Sequence, residues 1–167
     1  MPSPDFDVIV VGAGHAGCEA AWAAASMGCT VALCTLTEAT IATMPCNPAV
    51  GGTAKGQLVR EIDALGGLMG RAIDGTGIQF KVLNKSRGPA VWAPRAQADK
   101  PRYARWVAEA LKAVPSIAIL EGQVARLQLS GEAVSGVEFV TGRSISAAAV
   151  VVTTGTFLNG VVHVGDV

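Results

Sequence analysis

The stretch Gly12-Ala-Gly-His-Ala-Gly17 decides the fold, because it stands between a short apolar segment and an alanine-rich one. Residues 7–11 have the continuously apolar pattern of a strand buried on both faces of a parallel sheet. Residues 16–27 predict a helix that stops at Gly28. In this setting the first glycine permits a tight turn, the second lets the backbone approach a pyrophosphate, and the third lets helix pack on strand. A pyrophosphate there would bind the free N–H groups and the positive dipole end of the helix. The stretch therefore predicts a dinucleotide site.

The segments that follow predict an α/β order. Residues 30–35 predict a second buried strand, which a right-handed crossover places parallel to the first. Residues 36–53 contain Pro45 and Pro48 and predict a long loop, a feature that is usually functional. Residues 54–65 predict a helix with Leu58, Ile62 and Leu65 on one face, and residues 78–83 predict a strand.

The remainder changes character along its length. Residues 84–98 predict a proline-broken loop, and Asp99 predicts the N-cap of a helix over 100–113 with Pro101 in its first turn. Residues 117–120 predict a parallel strand. Residues 124–129, 134–140 and 144–152 predict an antiparallel meander, since Ser-Gly and Thr-Gly turns separate them. The end, from residue 157, predicts one more strand. The fold class is thus α/β: a Rossmann-like parallel sheet with an antiparallel meander crossover, incomplete, and one domain over 1–167.

Composition limits the classes of protein. Half of the 167 residues are apolar and 16% are charged, which suits one substantial core. A secretory signal begins with basic residues, whereas the first residues of this chain include acidic residues and prolines and no basic residue. We therefore expect no secretory signal and a cytoplasmic protein. The longest apolar run, 147–152, is far short of the roughly 20 residues that cross a bilayer. The 13 basic and 13 acidic residues balance, so global charge gives no argument for nucleic acid.

Cysteine and histidine spacing predicts no metal site. The four cysteines, at 18, 29, 34 and 46, form no Cys-x-x-Cys pair, and His15 has no partner ligands nearby in the sequence. Cys18, Cys29 and Cys34 fall in helix and strand patterns and are expected in the core. Cys46 differs, because prolines on both sides favour an extended backbone. We expect Cys46 to line a cleft, where N–H groups from Gly51, Gly52 and the next helix could face an anion. The alternative is that Cys46 is one more small core residue.

Two further features bear on ligands. The glycine fingerprint normally has an acid about 20 residues on to hold the ribose hydroxyls, but Thr35 stands there, and a threonine makes fewer hydrogen bonds. Between residues 81 and 105 seven bases face one acid, with Trp92 and Tyr103 interleaved. This excess could hold phosphates and stack a base. A solvated helix face plus a loop explains it equally well.

Several blocks together resemble the glucose-inhibited division protein A family, the large subunit of the tRNA uridine 5-carboxymethylaminomethyl modification enzyme. The similarity runs from about residue 6 to residue 165. The blocks that carry it are DVIVVGAGHAG at 7–17, CNPAVGG at 46–52, KGQLVREIDALGGLM at 55–69, GIQF at 77–80, GPA at 88–90, RAQAD at 95–99 and GTFL at 155–158.

This resemblance implies an FAD enzyme that also uses NADH and methylenetetrahydrofolate. Such an enzyme acts with a GTPase partner on carbon 5 of the wobble uridine of tRNA, and works as a homodimer. By position, Cys46 would be catalytic. The cofactor would be bound by Gly12, Ala13, Gly14, His15, Ala16, Gly17, Thr35, Gly51, Gly52, Val124, Thr154 and Gly155. The tRNA would be bound by Lys85, Arg87 and Arg95.

Two departures from the family pattern are Trp92, where a base is expected, and Pro45, where a small polar residue is expected. The family is several times longer, so we interpret this chain as an amino-terminal fragment. It lacks the second cysteine, the nicotinamide domain and the helical partner-binding end. We expect it to bind FAD weakly or not at all and to have no turnover alone.

Two other interpretations stay open. One is the related folate- and FAD-dependent tRNA uridine methyltransferase, although the Cys46-Asn-Pro block and Thr35 favour the first family. The other is a nonenzymatic dinucleotide-binding module that kept the fold and lost the chemistry.

Overall fold

The computed structural model describes residues 3–45, 47–155 and 158 of the chain. In chain order its elements are β1 (Phe6–Val11), α1 (His15–Ser26), β2 (Val31–Thr35), β3 (Ala49–Gly51), α2 (Lys55–Ala64), α3 (Met69–Thr76), β4 (Gly77–Leu83), β5 (Ala93–Ala98), α4 (Lys100–Lys112), β6 (Ile117–Glu121), β7 (Val124–Ser130), β8 (Ala133–Phe139) and β9 (Ser144–Val152). Short 3-10 turns lie at Glu38–Thr40, Lys85–Arg87 and Pro89–Val91. The strand predicted from residue 157 onward lies outside the described residues, apart from Leu158.

The larger sheet has six strands in the order β6-β2-β1-β9-β8-β7. The first four are parallel, and β7, β8 and β9 form an antiparallel meander. Strand β9 belongs to both parts: its first residues pair with β8, and residues 147–152 pair with β1. The predicted α/β class with a meander crossover is therefore confirmed.

Both faces of β1 and β2 are buried over residues 9–11 and 31–35, as their continuous apolar pattern predicted, whereas β9 leaves Val151 and Val152 38% and 52% exposed. On one face Val10 and Leu33 pack with α1 and α4, including Tyr103 and Leu111. On the other face Ile9 and its neighbours pack beneath the meander. Ile9 and Val10 are each 0% exposed, since successive side chains of a strand point to opposite faces. Burying each such side chain stabilises the folded state by about 1.5–3 kcal/mol.

A second, three-stranded sheet has the order β3-β5-β4, with antiparallel pairing. The prediction that 84–98 is all loop was wrong for Ala93–Ala98, which is the central strand of this sheet. Pro94 had argued against a strand there. It is tolerated because it lies near the start of β5, beyond the end of β3, and needs to donate no hydrogen bond there. The Gly52 N–H donates to the Pro94 carbonyl at 2.7 Å instead.

The helices also differ from expectation in detail. Helix α2 is confirmed, but its predicted apolar face is not buried, since Leu58 is 57% exposed and Leu65, just after the helix, is 90% exposed. The helix buries Gly56 instead. Helix α3 was not predicted. Its N-terminus is capped from another element, because the Glu19 carboxylate of α1 accepts the N–H groups of Leu68 and Met69 at 2.6–3.1 Å.

Other local predictions hold. The Asp99 side chain accepts the Arg102 N–H at 3.1 Å and caps α4. Cys18 is buried in the core beside α1 and Cys29 is half-buried against that core, whereas Cys34 is buried in the core on the other face of the sheet. Within the described part of the chain, no helix is both long and apolar enough to span a membrane.

Candidate dinucleotide site

The carboxyl ends of four parallel strands meet at one edge of the larger sheet, and the glycine loop lies there. Val11 pairs with Cys34 of β2 and with Val152 of β9, and Thr35 pairs with Glu121 of β6. Beyond these pairs the Gly12 N–H donates to the Cys34 carbonyl at 2.8 Å. In open α/β sheets this edge is where ligands bind.

Gly12 and Gly17 are required by close backbone contacts. Gly12 has φ +103°, and a Cβ on it would lie 2.6 Å from the Thr153 carbonyl oxygen. A Cβ on Gly17 would lie 1.8 Å from the Gly12 carbonyl oxygen. Only glycine therefore lets α1 approach β1 this closely.

Gly14 has a different environment. Nothing lies within 4 Å of the position of its missing Cβ, so the backbone is open on that side. It is the N-cap of α1, yet no side chain caps this helix and no acid stands in its first turn. The first helical bond runs from the Cys18 N–H to the Gly14 carbonyl at 2.9 Å. The first-turn N–H groups are therefore not capped by a side chain and are available as donors for an anion.

Thr153 completes the loop, and the sequence analysis missed it. Its N–H donates to the Val11 carbonyl at 2.8 Å, and its hydroxyl lies 2.9 Å from the carbonyl oxygens of both Val11 and Gly12. The predicted Thr154 and Gly155 follow directly, so the end of β9 brings them to the glycine loop. The sequence signal that could have indicated Thr153 is a hydroxyl-bearing residue directly after the strand that pairs with β1.

The His15 ring turns toward α4. Its centroid is 5.6 Å from that of Tyr103, and it borders a small cavity with Glu19 and Met69. Burial lowers the pKa of His15, with Glu19 opposing that effect. The imidazole is thus predominantly neutral at pH 7. The backbone N–H of His15, rather than its ring, is what the geometry offers to a phosphate.

At the end of β2 the side chains already have partners. The Thr35 hydroxyl is buried and donates to the Thr37 carbonyl at 3.1 Å. Glu121 accepts the Glu38 N–H at 2.6 Å, and the Glu38 carboxylate pairs with Lys112. The Gly122 N–H donates to the Thr35 carbonyl at 2.8 Å. This bond brings the turn before Val124, the first residue of β7, next to Thr35.

Among the described residues of the loop after β2, the Ala42 N–H bonds to the glycine loop, donating to the Ala13 carbonyl at 2.9 Å. Ala42 is 1% exposed and has φ +52°. Cys46, the predicted catalytic residue on this loop, lies outside the described residues. The carbonyl of the next residue, Asn47, accepts the Ala49 N–H at 2.7 Å.

Gly51 and Gly52 have mainly structural contacts here. The Gly52 N–H donates to Pro94, and the N–H of Gly56 donates to Gly52 at 2.7 Å. The expectation that the Gly52 N–H could face an anion was therefore wrong, because the second sheet already uses it. The Cα of Gly52 nevertheless has open space beside it, with nothing within 4 Å of a Cβ position.

The three predicted tRNA residues lie apart from the glycine loop. Lys85 and Arg95 line one cavity of about 520 Å³ between α2, α3 and the second sheet. Arg87 lies on the 3-10 turn beside Lys85 and does not line this cavity. In the described part of the chain, no group of three or more His, Cys, Asp or Glu is placed to hold a metal ion.

The residues at the strand edge fit a diphosphate. An open Gly14, an uncapped helix N-terminus and a tight Gly12–Gly17 contact are what a pyrophosphate needs. The fold and this loop define an α/β protein of the Rossmann-like dinucleotide-binding class.

Comparison with known proteins narrows this class to a family. The model of the family described as glucose inhibited division protein A matches residues 7–167. The chain belongs to that family.

Its curated relatives are named tRNA uridine 5-carboxymethylaminomethyl modification enzyme MnmG. The relative from Granulibacter bethesdensis is 57% identical over 169 residues, which cover 99% of this chain and 27% of the relative. The one from Syntrophotalea carbinolica is 55% identical, over 96% of this chain and 26% of the relative. The chain thus spans about a quarter of their length.

Solved structures agree. GidA from Aquifex aeolicus has a TM-score of 0.93 at 53% identity, over 96% of this chain and 27% of that one. The GidA-related protein from Thermus thermophilus has a TM-score of 0.63 at 21% identity, and the match covers 92% of this chain and 54% of that protein. This second likeness shows the fold alone.

Proposed function

We propose that this chain, residues 1–167 as one domain, is the FAD-binding part of a tRNA-modifying enzyme. The enzyme adds a (carboxymethyl)aminomethyl group to carbon 5 of the wobble uridine. The observation that carries the proposal is the open, uncapped N-terminus of α1 behind Gly14, at the carboxyl edge of the parallel strands. The name of the relatives that are 57% and 55% identical supports the substrate.

The chain's own groups position the cofactor. The N–H groups of residues 14–17 hold the pyrophosphate, and the neutral His15 ring keeps the first turn of α1 against Tyr103. Thr35 and Val124 lie at the adenosine end, while Thr154 and Gly155 follow the anchored Thr153 beside the loop. Gly52 allows the flavin ring to approach bare backbone, because nothing lies within 4 Å of its Cβ position, while Gly51 packs against the Pro94 carbonyl and holds the neighbouring strand in place. Bound FAD supplies redox chemistry.

The other substrates and partners belong to the longer enzyme. NADH and methylenetetrahydrofolate supply the reducing equivalents and the one-carbon unit. Cys46 acts at the uracil ring, and Lys85, Arg87 and Arg95 contact tRNA phosphates. A GTPase partner and a second copy of the subunit complete the assembly, in the cytoplasm.

The cofactor half of the proposal is tested in a full-length protein that contains this chain. The wild type is expected to purify with flavin absorbance, and Gly14→Ala is expected to lose it while staying folded, because its Cβ fills the phosphate position. An enzyme that modifies wobble uridine equally well without flavin would contradict the proposal.

The catalytic half is tested by Cys46→Ser in the same full-length protein. We expect modification of the wobble uridine to stop while flavin absorbance and thermal stability are kept. Unaffected modification would show that Cys46 is structural. A methylated product would favour the methyltransferase alternative, and no product from the wild type, with or without its partner, would favour a nonenzymatic module.

A further inference from the structure

The end of β2 lacks the carboxylate that dinucleotide-binding folds normally carry there. In those folds an acid at the end of the second strand accepts a hydrogen bond from the ribose hydroxyl of the nucleotide. In this chain Thr35 stands at that position, and its side chain is buried. Its hydroxyl already donates to the Thr37 carbonyl at 3.1 Å. A ribose hydroxyl therefore needs an acceptor from another element.

Glu121, the last residue of β6, carries a carboxylate at the same level of the sheet. It is the direct partner of Thr35 across the parallel β2–β6 pair, so the two side chains lie on the same face. Acids at both positions would place two like charges opposite each other, which destabilises a sheet. This pair of positions carries one acid, and the acid stands on β6 instead of β2.

The Glu121 side chain reaches back toward the end of β2. Its Oε1 accepts the backbone N–H of Glu38, in the turn that follows β2, at 2.6 Å. Its other oxygen, Oε2, accepts no hydrogen bond from the residues that the structure describes. Because Glu121 is exposed, this oxygen is accessible to a ligand at the carboxyl edge of the sheet.

The negative charge of Glu121 has no basic partner in the described part of the chain. The ion pairs there are Lys112–Glu38 and Arg126–Glu138. Lys112 of α4 therefore neutralises Glu38, the other acid of this corner, and leaves the charge of Glu121 uncompensated. An ionised acceptor makes a stronger hydrogen bond to a neutral hydroxyl than a neutral acceptor does, and it repels a phosphate.

The backbone that carries Glu121 is held in place on both sides. The N–H of the next residue, Gly122, donates to the Thr35 carbonyl at 2.8 Å. Gly122 also packs against the Phe139 ring, since a Cβ there would lie 2.8 Å from it. The carboxylate is thus presented from a fixed turn, three residues before Val124, which we place at the adenosine end of the site.

We propose that Glu121 binds the adenosine ribose of the cofactor and selects nucleotides that carry no 2′-phosphate. The 2′-hydroxyl donates to Oε2 of Glu121, while the Glu38 N–H holds Oε1. A 2′-phosphate would bring negative charge against the carboxylate, so the site rejects it. This inference rests on the proposed cofactor site and adds the residue that recognises the sugar.

The test is competition for FAD binding in a full-length protein that contains this chain and has been freed of flavin. FAD binding is followed by the quenching of flavin fluorescence. One pair of competitors is ADP and 2′-deoxy-ADP, and the other is ADP-ribose and its 2′-phosphorylated form. The wild type should bind ADP about tenfold more tightly than 2′-deoxy-ADP, the effect of one hydrogen bond to a charged group. It should bind ADP-ribose more tightly than the 2′-phosphorylated form.

Four variants separate ribose recognition from a structural role. Glu121→Ala should bind ADP and 2′-deoxy-ADP equally well, whereas a structural role would weaken both and leave their ratio unchanged. Glu121→Gln keeps a side chain that pairs with the hydroxyl and removes the charge, so it should keep part of the preference for ADP and accept the 2′-phosphate. Glu38→Gln is the matched control, because it changes a neighbouring acid and keeps the backbone N–H that holds Glu121. Glu38→Gln and Thr35→Val should both keep the tenfold preference for ADP.

The outcomes that overturn the inference are distinct from failure of the proposed function. The inference is wrong if Glu121→Ala keeps the wild-type ratio of the two affinities, or if ADP competes no better than 2′-deoxy-ADP with the wild type. It is also wrong if Thr35→Val abolishes the preference, because Thr35 would then hold the ribose. In each case FAD still binds, and the cofactor proposal stands. If the wild type binds no FAD, both proposals fail.

Discussion

Gly17→Ala tests the contact that lets α1 pack on β1. The new Cβ would lie 1.8 Å from the Gly12 carbonyl oxygen and 2.7 Å from the Thr153 hydroxyl oxygen. The nearest atoms are backbone, so no side chain can rotate away to make room. The helix must therefore shift away from the strand.

The cost follows from what the shift disturbs. Overpacking a tight site costs about 1–3 kcal/mol, and displacing the Thr153 hydroxyl from its 2.9 Å contacts with Val11 and Gly12 costs about 0.5–1.5 kcal/mol more. We expect the free energy of unfolding to fall by about 1.5–4.5 kcal/mol, a large part of the 5–15 kcal/mol typical of domains.

The assay is urea unfolding followed by tryptophan fluorescence, since Trp22 and Trp106 pack against the core. Gly14→Ala is the matched control, because nothing lies within 4 Å of its Cβ position. It should cost no more than about 1 kcal/mol, the range of N-cap changes, and should still remove diphosphate binding. If Gly17→Ala unfolds at the wild-type urea concentration, the account of the helix–strand contact is refuted.

Two further predictions concern stability. Burial raises the pKa of Cys34 to about 11 and of Cys18 to about 12. The contribution of these thiols to the free energy of unfolding should therefore be constant below about pH 8.5, the ordinary thiol pKa. It should fall as pH rises toward the folded-state values, because in that range only the unfolded state releases the thiol protons. Urea titrations across this range measure the fall; Cys34→Ala should reduce it, and a pH-independent midpoint would contradict the burial of the thiols. Ala54 is the central residue of a strained γ-turn, with φ +65° and ψ −49°. The turn is closed by a hydrogen bond in which the Lys55 N–H donates to the Thr53 carbonyl at 2.9 Å. Ala54→Gly should therefore raise the free energy of unfolding by up to about 1 kcal/mol, because it relieves the strain of an alanine at positive φ, which exceeds the extra backbone entropy that glycine loses on folding. A lower urea midpoint would show that the turn is not strained.

The parts of the fold that were predicted correctly depend on local signals. The order β1, glycine loop, α1 and β2 follows from the apolar runs and the Gly12–Gly17 spacing, and Asp99 marks the start of α4 by its own side chain. The meander was predictable because small turn residues separate its strands. Each of these features is decided within a few residues of sequence.

The parts that were missed depend on contacts between distant residues. Helix α3 carries Gly70 and Gly75, which disfavour a helix, and its N-terminus is capped by Glu19 from 49 and 50 residues away. Strand β5 was not predicted because Pro94 argues against a strand. Its carbonyl accepts the N–H of Gly52, which is distant in the sequence. Thr153 was missed at the candidate site for the same reason, because its partners Val11 and Gly12 lie at the other end of the chain.

The central claim is that the N–H groups at the start of α1 bind the diphosphate of a nucleotide cofactor. Amide chemical shifts of the isotope-labelled chain during titration with ADP, and separately with FAD, test it most directly. The account predicts weak but saturable shifts at Gly14, His15, Ala16 and Gly17, at high nucleotide concentration, that are absent in Gly14→Ala. Shifts confined to other residues, or saturable binding that Gly14→Ala leaves intact, would contradict it.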